Sequence, residues 1–148
     1  FTGGTQTGEH IARTAAPMFK KLSLELGGKN PNLIFADCDY DQMLKTTLRS
    51  SFANQGQICL CGSRIYVERS LYERFKADFV AKVQQRRVGD PRDPKTQMGA
   101  LVSEPHLQKV QSYIALAQEE GGTILTGRGA GLGVRAVCGG LFFGADGD

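Results

Sequence analysis

The stretch Phe52–Ser70, FANQGQICLCGSRIYVERS, decides the fold prediction because it joins a polar, glycine-containing loop to an apolar run typical of a strand. Two cysteines, Cys59 and Cys61, lie where the loop meets the strand. Four kinds of chemistry could use a pair placed in this way: a metal site, a disulfide, a redox pair or a nucleophile. The stretch therefore predicts a functional loop as well as a strand.

Hydrophobic periodicity on both sides of this stretch predicts alternating helices and strands. Asp39 and Ser103 stand at expected helix N-caps, while Ser70 and Glu73 have the spacing of a capping box. The alternation favours an α/β architecture with a mostly parallel sheet. The predicted helices cover residues 8–19, 39–52, 70–86 and 103–122, and the predicted strands cover 20–28, 31–36, 64–68 and 123–127.

Composition excludes several classes of protein. The chain has 148 residues, enough for one domain with a real core, and a net charge of +3 that is too small and too dispersed for a nucleic-acid surface. It has no run of about 18 to 20 apolar residues, so no membrane span is predicted. The four cysteines, Cys38, Cys59, Cys61 and Cys138, are too few for a disulfide scaffold. They favour a reducing compartment, and a cytoplasmic location is expected.

The cysteine pair is a weak metal or disulfide candidate. Its spacing is C-x-C rather than C-x-x-C, and neither His10 nor His106 has a partner at ligand spacing, so no metal site is predicted. A disulfide between Cys59 and Cys61 would close a very short, strained loop. A nucleophile fits better, because the N–H groups of a polar glycine loop can favour a thiolate and hold an oxyanion. A buried, inert cysteine is the open alternative.

Two other segments contain candidate functional residues. Glu25 in LELGGK would become a general base if the apolar strand buried it, or a solvated glutamate if not. FTGGTQTGE, residues 1–9, places glycines between a strand and a helix, as a phosphate cradle does. It is not a P-loop, because Glu9 and His10 stand where Lys and Ser or Thr are required, and a plain turn is an equal alternative.

Three segments in this order, residues 1–8, 24–31 and 52–64, resemble one family. They are similar to the F-T-G-S turn, the L-E-L-G-G-K motif and the F-x-N-x-G-Q-x-C motif of the NAD(P)-dependent aldehyde dehydrogenase superfamily. The 34 residues from Glu25 to Cys59 also fit that family. Within the superfamily, the cysteine segment is most similar to the aminomuconate semialdehyde dehydrogenases.

The resemblance implies the oxidation of a small aldehyde, expected to be a semialdehyde, to its carboxylic acid with NAD, NADP being the open alternative. It makes Cys59 the nucleophile that forms a thiohemiacetal and then a thioester, Cys61 a bystander, and Glu25 the base that activates water. It also implies six cofactor contacts. They are Gly3 and Gly4 along the pyrophosphate, Leu26 and Gly27 near the nicotinamide, and His106 and Lys109 near the adenosine ribose.

The family frame implies an aldehyde dehydrogenase-like fold in three parts. Residues 1–27 would end a Rossmann-type NAD-binding domain, residues 28–127 would begin the catalytic domain, and the glycine-rich residues 128–148 would lie outside the family pattern. Gly4 departs from the usual Ser of the F-T-G-S turn. Other cofactor-holding motifs of the family are absent, so we expect an inactive piece of a larger, homo-oligomeric enzyme. A catalytically silent structural relative and a cofactor-independent esterase are the alternatives.

Overall fold

Two parallel strands position the rest of the chain, whose computed structural model describes residues 1–127 and the backbone of Phe142 and Phe143. Strand β1 spans Asn30–Ile34 and strand β2 spans Gly62–Val67. They pair in parallel, with Ile34 opposite Val67. A parallel pair needs a crossover connection, and here a helix lies between the two strands in the chain. The expected α/β arrangement is therefore present in the described residues.

The described part of the chain also contains four α-helices. A second, antiparallel pair of short strands, β3 (Thr123–Ile124) and β4 (Phe142–Phe143), follows the last helix. Within the described residues, no helix combines the length and the apolar character that crossing a bilayer requires. The helices are α1 (Thr5–Ala15), α2 (Tyr40–Phe52), α3 (Arg69–Gln84) and α4 (Glu104–Glu119), with 3₁₀ turns at Ala16–Met18 and Ala53–Gly56.

The core forms where α2 and α3 pack on the inner face of β1 and β2. Phe75 and Phe79 of α3 are fully buried, and their rings stack with centroids 5.0 Å apart. The apolar residues that recur at helical spacing in this segment therefore face the core. The buried cluster comprises Ile34, Leu44, Phe52, Phe75, Phe79 and Met98.

Helix α2 begins as its sequence predicts. The Asp39 side chain accepts a hydrogen bond from the Gln42 N–H, at 3.2 Å, and so caps the first turn. In the same turn, the Tyr40 hydroxyl donates to Asp78 of α3 at 2.6 Å. Burial, and then this hydrogen bond, raise the pKa of Tyr40 to about 12. The contact therefore joins α2 to α3 beside the core.

The predicted capping box of α3 is wrong. The helix begins at Arg69, one residue before Ser70, and Glu68 is its N-cap. The Glu68 carboxylate accepts from the Ala36 N–H and from the Ser70 hydroxyl, both at 2.8 Å, and these donors, Ala36 first, hold the pKa of Glu68 below its usual value. Glu73 instead pairs with Lys76, at 2.8 Å. The Glu68 carboxylate binds the Ala36 N–H, two residues after the end of β1, and this contact joins the start of α3 to that strand. The helix therefore begins at Arg69 and not with the predicted capping box of Ser70 and Glu73.

The strand predicted at residues 20–28 is also wrong, except at one point. Only Glu25 pairs, through a parallel bridge to Thr2. Leucines alternate with polar residues in this segment, but the Leu22 side chain is 43% exposed. Only residues 1–3 lie beside the segment and form backbone hydrogen bonds with it. A period of two makes a strand only where a partner strand runs beside it. The predicted tail at 128–148 lies outside the described residues, apart from the backbone of β4.

Replacing Phe79 by alanine should lower the free energy of unfolding by about 3 to 5 kcal/mol, because it leaves a cavity between the rings of Phe52 and Phe75. Urea denaturation followed by circular dichroism measures the change. Phe19→Ala is the matched control, since the Phe19 side chain is 96% exposed. Equal losses in the two variants would contradict the packing described above.

At the entrance to the two strands, one side chain continues their pairing. The Asn30 amide nitrogen donates to the carbonyl of Cys59 at 2.5 Å and to that of Cys61 at 3.2 Å. Asn30 also faces Gly62 in the strand register. Asn30, the first residue of β1, therefore holds the turn that leads into β2.

Asn30→Asp keeps the size of this side chain but replaces the amide donor with an oxygen that cannot donate. We expect the turn to open more often, and Cys61 to react about tenfold faster with a disulfide reagent such as DTNB, as loss of about 1.4 kcal/mol of hydrogen bonding to the two carbonyls implies. Asn32→Asp is the control, because it adds the same charge on the same strand without touching those bonds. Unchanged Cys61 reactivity in Asn30→Asp would refute the anchoring role.

Candidate active site

A left-handed backbone segment leads from α2 to the cysteines. Asn54, Gln55 and Gly56 have φ values of 47°, 57° and 75°. Glycine adopts this region freely, but a residue with a side chain does so at a cost of about 1 to 3 kcal/mol. The Gln57 N–H closes the segment on the Asn54 carbonyl at 3.0 Å. Two strained residues in a row are thus held in place immediately before the cysteines.

The next four residues, Ile58–Cys61, form a turn closed by the Cys61 N–H on the Ile58 carbonyl at 3.0 Å. Cys59 is exposed in this turn, whereas Cys61 is only 6% exposed. The Cys61 sulfur lies 3.9 Å from the Ala53 carbonyl, within reach of a weak S–H bond. The sequence left the chemistry of Cys59 and Cys61 open, and the structure distinguishes them: Cys59 is an accessible thiol and Cys61 is a buried one.

Neither a disulfide nor a metal explains the pair in the described residues. Cys38, Cys59 and Cys61 are free thiols. Residues 1–127 contain no group of three or more histidine, cysteine or carboxylate side chains placed to share a metal ion. Of these three thiols, Cys59 is the most accessible to solvent.

Two serines of α2 hold the far side of the turn. The Gly62 N–H donates to the Ser50 hydroxyl at 3.1 Å, and the Ser51 hydroxyl donates to the Gly62 carbonyl at 3.0 Å. A Cβ atom at position 62 would stand 2.6 Å from the Ser50 oxygen, so a larger residue there would displace the hydroxyl that accepts from the Gly62 N–H. Gln57 adds a third tie, because its side-chain oxygen accepts from the Val102 N–H at 3.0 Å. The turn of Cys59 is consequently anchored from several sides.

The backbone of the turn offers an unused donor. No residue among those described accepts a hydrogen bond from the N–H of Cys59. A free N–H beside an accessible thiol is what an oxyanion formed at that sulfur would need.

Glu25 lies in the segment that leads into β1. Its backbone bonds to Phe1 and Gly3, at 2.9 and 3.0 Å, while its side chain is exposed. The burial expected for a poised base is therefore not seen in the described chain, because residues 1–3 cover only one side of this segment. Glu25 lies five residues before Asn30, which binds the Cys59 carbonyl. Both candidate catalytic residues thus precede the amino ends of adjacent parallel strands.

The expected cofactor glycines lie at the start of α1. Gly4 is the N-cap residue and supplies no side-chain cap, and Gly3 donates its N–H to the Glu25 carbonyl at 3.0 Å. Leu26 packs on the buried Gly8, where a Cβ would come within 2.6 Å of the leucine side chain. The structure therefore brings together Gly3, Gly4, Glu25, Leu26 and Gly27.

His106 and Lys109 lie elsewhere, in α4. The His106 N–H donates to the Ser103 hydroxyl at 3.3 Å, which confirms Ser103 as the cap of this helix. No hydrogen bond or ion pair of the described residues connects either side chain to Gly3 or Gly4. Their role near the ribose stays a prediction.

Asn30 is the residue that sequence reasoning missed. It follows the glutamate motif as the Asn of GGKNP, and its amide links that motif to the cysteine turn. A polar residue at the first position of an otherwise apolar strand was the available signal. Its partner could not be read from the sequence, since the bond spans 29 residues.

Comparison with known proteins agrees with this geometry. The model of the aldehyde dehydrogenase family matches residues 1–140. The chain is 54% identical over 129 residues to a 2-aminomuconic semialdehyde dehydrogenase of Mus musculus, and 47% identical over 129 residues to a 2-hydroxymuconic semialdehyde dehydrogenase of Pseudomonas putida. In each case the match covers 87% of this chain and 26% of the relative. The chain thus spans about a quarter of the length of these relatives.

Solved structures show the same likeness. A betaine aldehyde dehydrogenase of Staphylococcus aureus in complex with NAD⁺ matches with a TM-score of 0.83 and 40% identity, over 86% of this chain and 25% of that one. HpcC from Thermus thermophilus matches with a TM-score of 0.90 and 36% identity, over 98% of this chain and 30% of that one. The predicted aldehyde dehydrogenase-like α/β fold is confirmed by these matches. The chain belongs to the aldehyde dehydrogenase family.

Proposed function

We propose that this chain carries the nucleophile and the general base of an NAD-dependent aldehyde dehydrogenase that oxidises a semialdehyde to the carboxylic acid. The observation that supports this most directly is the turn of Cys59. It presents an accessible thiol and an unpaired N–H on a backbone anchored by Asn30 and by Ser50 and Ser51. Such a turn suits covalent catalysis at a carbonyl carbon.

The first step is attack of the Cys59 thiolate on the aldehyde carbon. The C–S bond forms as the carbonyl π electrons move to oxygen, and the Cys59 N–H donates to that oxyanion. The resulting thiohemiacetal is tetrahedral and carries a hydride that can leave. When bound beside Gly3, Gly4, Leu26 and Gly27, NAD would supply the hydride acceptor that the oxidation of this thiohemiacetal to a Cys59 thioester requires.

The second step is hydrolysis of the thioester. Glu25 takes a proton from water, the hydroxide adds to the thioester carbon, and the C–S bond breaks to release the acid and the Cys59 thiolate. The exposed side chain of Glu25 leaves it free to turn towards such a water. Its backbone bonds to Phe1 and Gly3 fix the position from which it turns.

The residues present suit part of the dinucleotide. The first-turn N–H groups of a helix lack acceptors within that helix, and α1 begins directly after Gly3 and Gly4. A Cβ at Gly4 would meet nothing within 4 Å, so the approach to these N–H groups is open. Gly3 and Gly4 would therefore lie along a pyrophosphate, with Leu26 and Gly27 next to the nicotinamide. A solved relative is in complex with NAD⁺, which supports NAD as the cofactor.

The relatives also support the substrate class. Those at 46 to 55% identity include enzymes named for 2-aminomuconic and 2-hydroxymuconic semialdehydes. Since the chain spans 26% of their length, we infer that these 148 residues alone do not complete the reaction and that a longer polypeptide does. Its assembly as a homo-oligomer and its cytoplasmic location stay predictions.

The nucleophile assignment predicts selective alkylation. Iodoacetamide should label Cys59 at least about tenfold faster than Cys38 at pH 7, because the anchored turn offers an N–H donor to the thiolate. Fragment-ion mass spectrometry of the labelled peptides measures both rates, and Cys59→Ser should abolish the fast phase. Equal rates for Cys59 and Cys38 would favour the catalytically silent alternative instead.

The base assignment predicts a separate defect. In the complete enzyme, Glu25→Gln should lower steady-state turnover about 10²- to 10⁴-fold, as expected for removal of a general base, but retain a stoichiometric burst of NADH. Stopped-flow absorbance measures the burst and the steady state together. Glu119→Gln on α4 is the control. Loss of the burst along with turnover would assign Glu25 to another step.

A further inference from the structure

Two glutamine side chains connect the left-handed segment that follows α2 to residues 99–102, the loop that precedes α4. The Gln57 side-chain oxygen accepts from the Val102 N–H at 3.0 Å. With its amide oxygen turned towards the loop, the orientation that satisfies both of its polar atoms, Gln55 accepts from the Gly99 N–H at 2.9 Å. The two glutamines therefore bind the first and the last N–H group of this loop.

The loop is itself fixed at both ends. Met98, which precedes it, is 3% exposed and belongs to the buried cluster. The Met98 N–H donates to the Arg87 carbonyl at 3.2 Å, and the Met98 carbonyl accepts from the Gly89 N–H at 3.0 Å. Ser103, which follows the loop, caps α4 by accepting from the His106 N–H. The two glutamines consequently bind a loop that the core and a helix N-cap hold in place.

Gln57 also binds the strained segment directly. Its backbone N–H and its side-chain nitrogen both donate to the Asn54 carbonyl, at 3.0 and 3.4 Å. Asn54 and the next residue, Gln55, adopt left-handed backbone conformations that are unfavourable for residues with a side chain. Such conformations persist only where the surrounding structure supports them. Gln57 supplies part of this support, because its side chain joins Asn54 to Val102.

The other bonds that anchor the turn act on its downstream side. Asn30 binds the carbonyls of Cys59 and Cys61, and two hydroxyls of α2 bind the backbone of Gly62. The Cys59 N–H, by contrast, lies in the planar peptide unit that Cys59 shares with the preceding residue. The direction of this N–H therefore depends on the upstream backbone, where Gln57 is two residues away.

We propose that Gln57 is a positioning residue for the nucleophile: through the Val102 N–H, it keeps the left-handed segment folded and the Cys59 N–H in place for the oxyanion. This inference rests on the proposed function, since it gives Gln57 a part in the attack of Cys59 on a carbonyl carbon. Gln57 itself touches no reacting atom. Its loss should therefore slow the attack and leave the number of competent sites unchanged.

The test compares two substitutions at this position. Gln57→Leu removes both the acceptor and the donor of the side chain, whereas Gln57→Glu keeps the acceptor for Val102 and loses only the longer bond to Asn54. Cys59 is alkylated with iodoacetamide at pH 7 in about 1 M KCl, which screens the added carboxylate. Gln57→Leu should lower the rate about fivefold or more, as loss of an oriented N–H beside the thiolate implies. Gln57→Glu should remain within about twofold of the wild type, because the shorter of the two bonds is retained.

Two controls accompany these variants. Gln111→Leu and Gln111→Glu make the same changes at an exposed position of α4 and should leave Cys59 at the wild-type rate. The rate of Cys38 in the same samples reports general loosening of the chain, because Cys38 packs against the buried cluster. Gln57→Leu should leave the Cys38 rate unchanged.

In the complete enzyme, the burst of NADH separates positioning from folding. A misplaced nucleophile reacts slowly at every site, so Gln57→Leu should slow the burst about ten- to a hundredfold and keep its amplitude. Partial unfolding would instead lower the amplitude and keep the rate of the remaining sites. Gln57→Glu should restore most of the burst rate, because it again accepts from the Val102 N–H.

The outcomes distinguish the two proposals. Equal Cys59 rates in the wild type and in Gln57→Leu, or an equal loss in Gln57→Leu and Gln57→Glu, would overturn the role of Gln57 and leave the nucleophile assignment intact. A smaller burst at unchanged rate, or a faster Cys38 in Gln57→Leu, would reduce Gln57 to a structural residue. Alkylation of wild-type Cys59 no faster than that of Cys38 would instead remove the proposed nucleophile, and this inference with it.

Discussion

The hydrogen bonds from the Asn30 amide to the carbonyls of Cys59 and Cys61 are the constraint on which the arrangement depends. Parallel pairing of β1 and β2 brings the first residues of the two strands together. The Asn30 side chain extends this contact to the residues that precede Gly62. The glutamate segment leads into β1 and the cysteine turn leads into β2. Because the strands run in the same direction, the residues that follow the glutamate motif lie next to the cysteine turn.

The anchoring of the turn also accounts for its strain. Asn54 and Gln55 occupy left-handed backbone conformations that side chains disfavour, and they persist because the structure on both sides is held. On one side the core holds Phe52, and on the other Ser50 and Ser51 grip Gly62. This holds Cys59 in solvent and Cys61 inside, although only Leu60 separates them in the chain. Rigid positioning of this kind is what a covalent nucleophile requires.

Much of the fold could be predicted locally, and the errors share one cause. Asp39, Ser103 and the stripe of Phe75 and Phe79 behave as capping and periodicity rules say, because those rules describe contacts within one helix. Ser70 fails as a cap because Glu68 is drawn to the Ala36 N–H of another segment. Residues 20–28 fail as a strand because a ladder needs a neighbour, and only residues 1–3 provide one.

The sequence by itself determined the family, the candidate nucleophile and base, and the existence of the four helices and of the two parallel strands, since motifs and periodicity are properties of neighbouring residues. Tertiary structure alone decided which thiol is accessible and which amide anchors the turn. Those features depend on contacts between segments distant in the chain. Burial and hydrogen bonding at such contacts follow from packing, which no local pattern encodes.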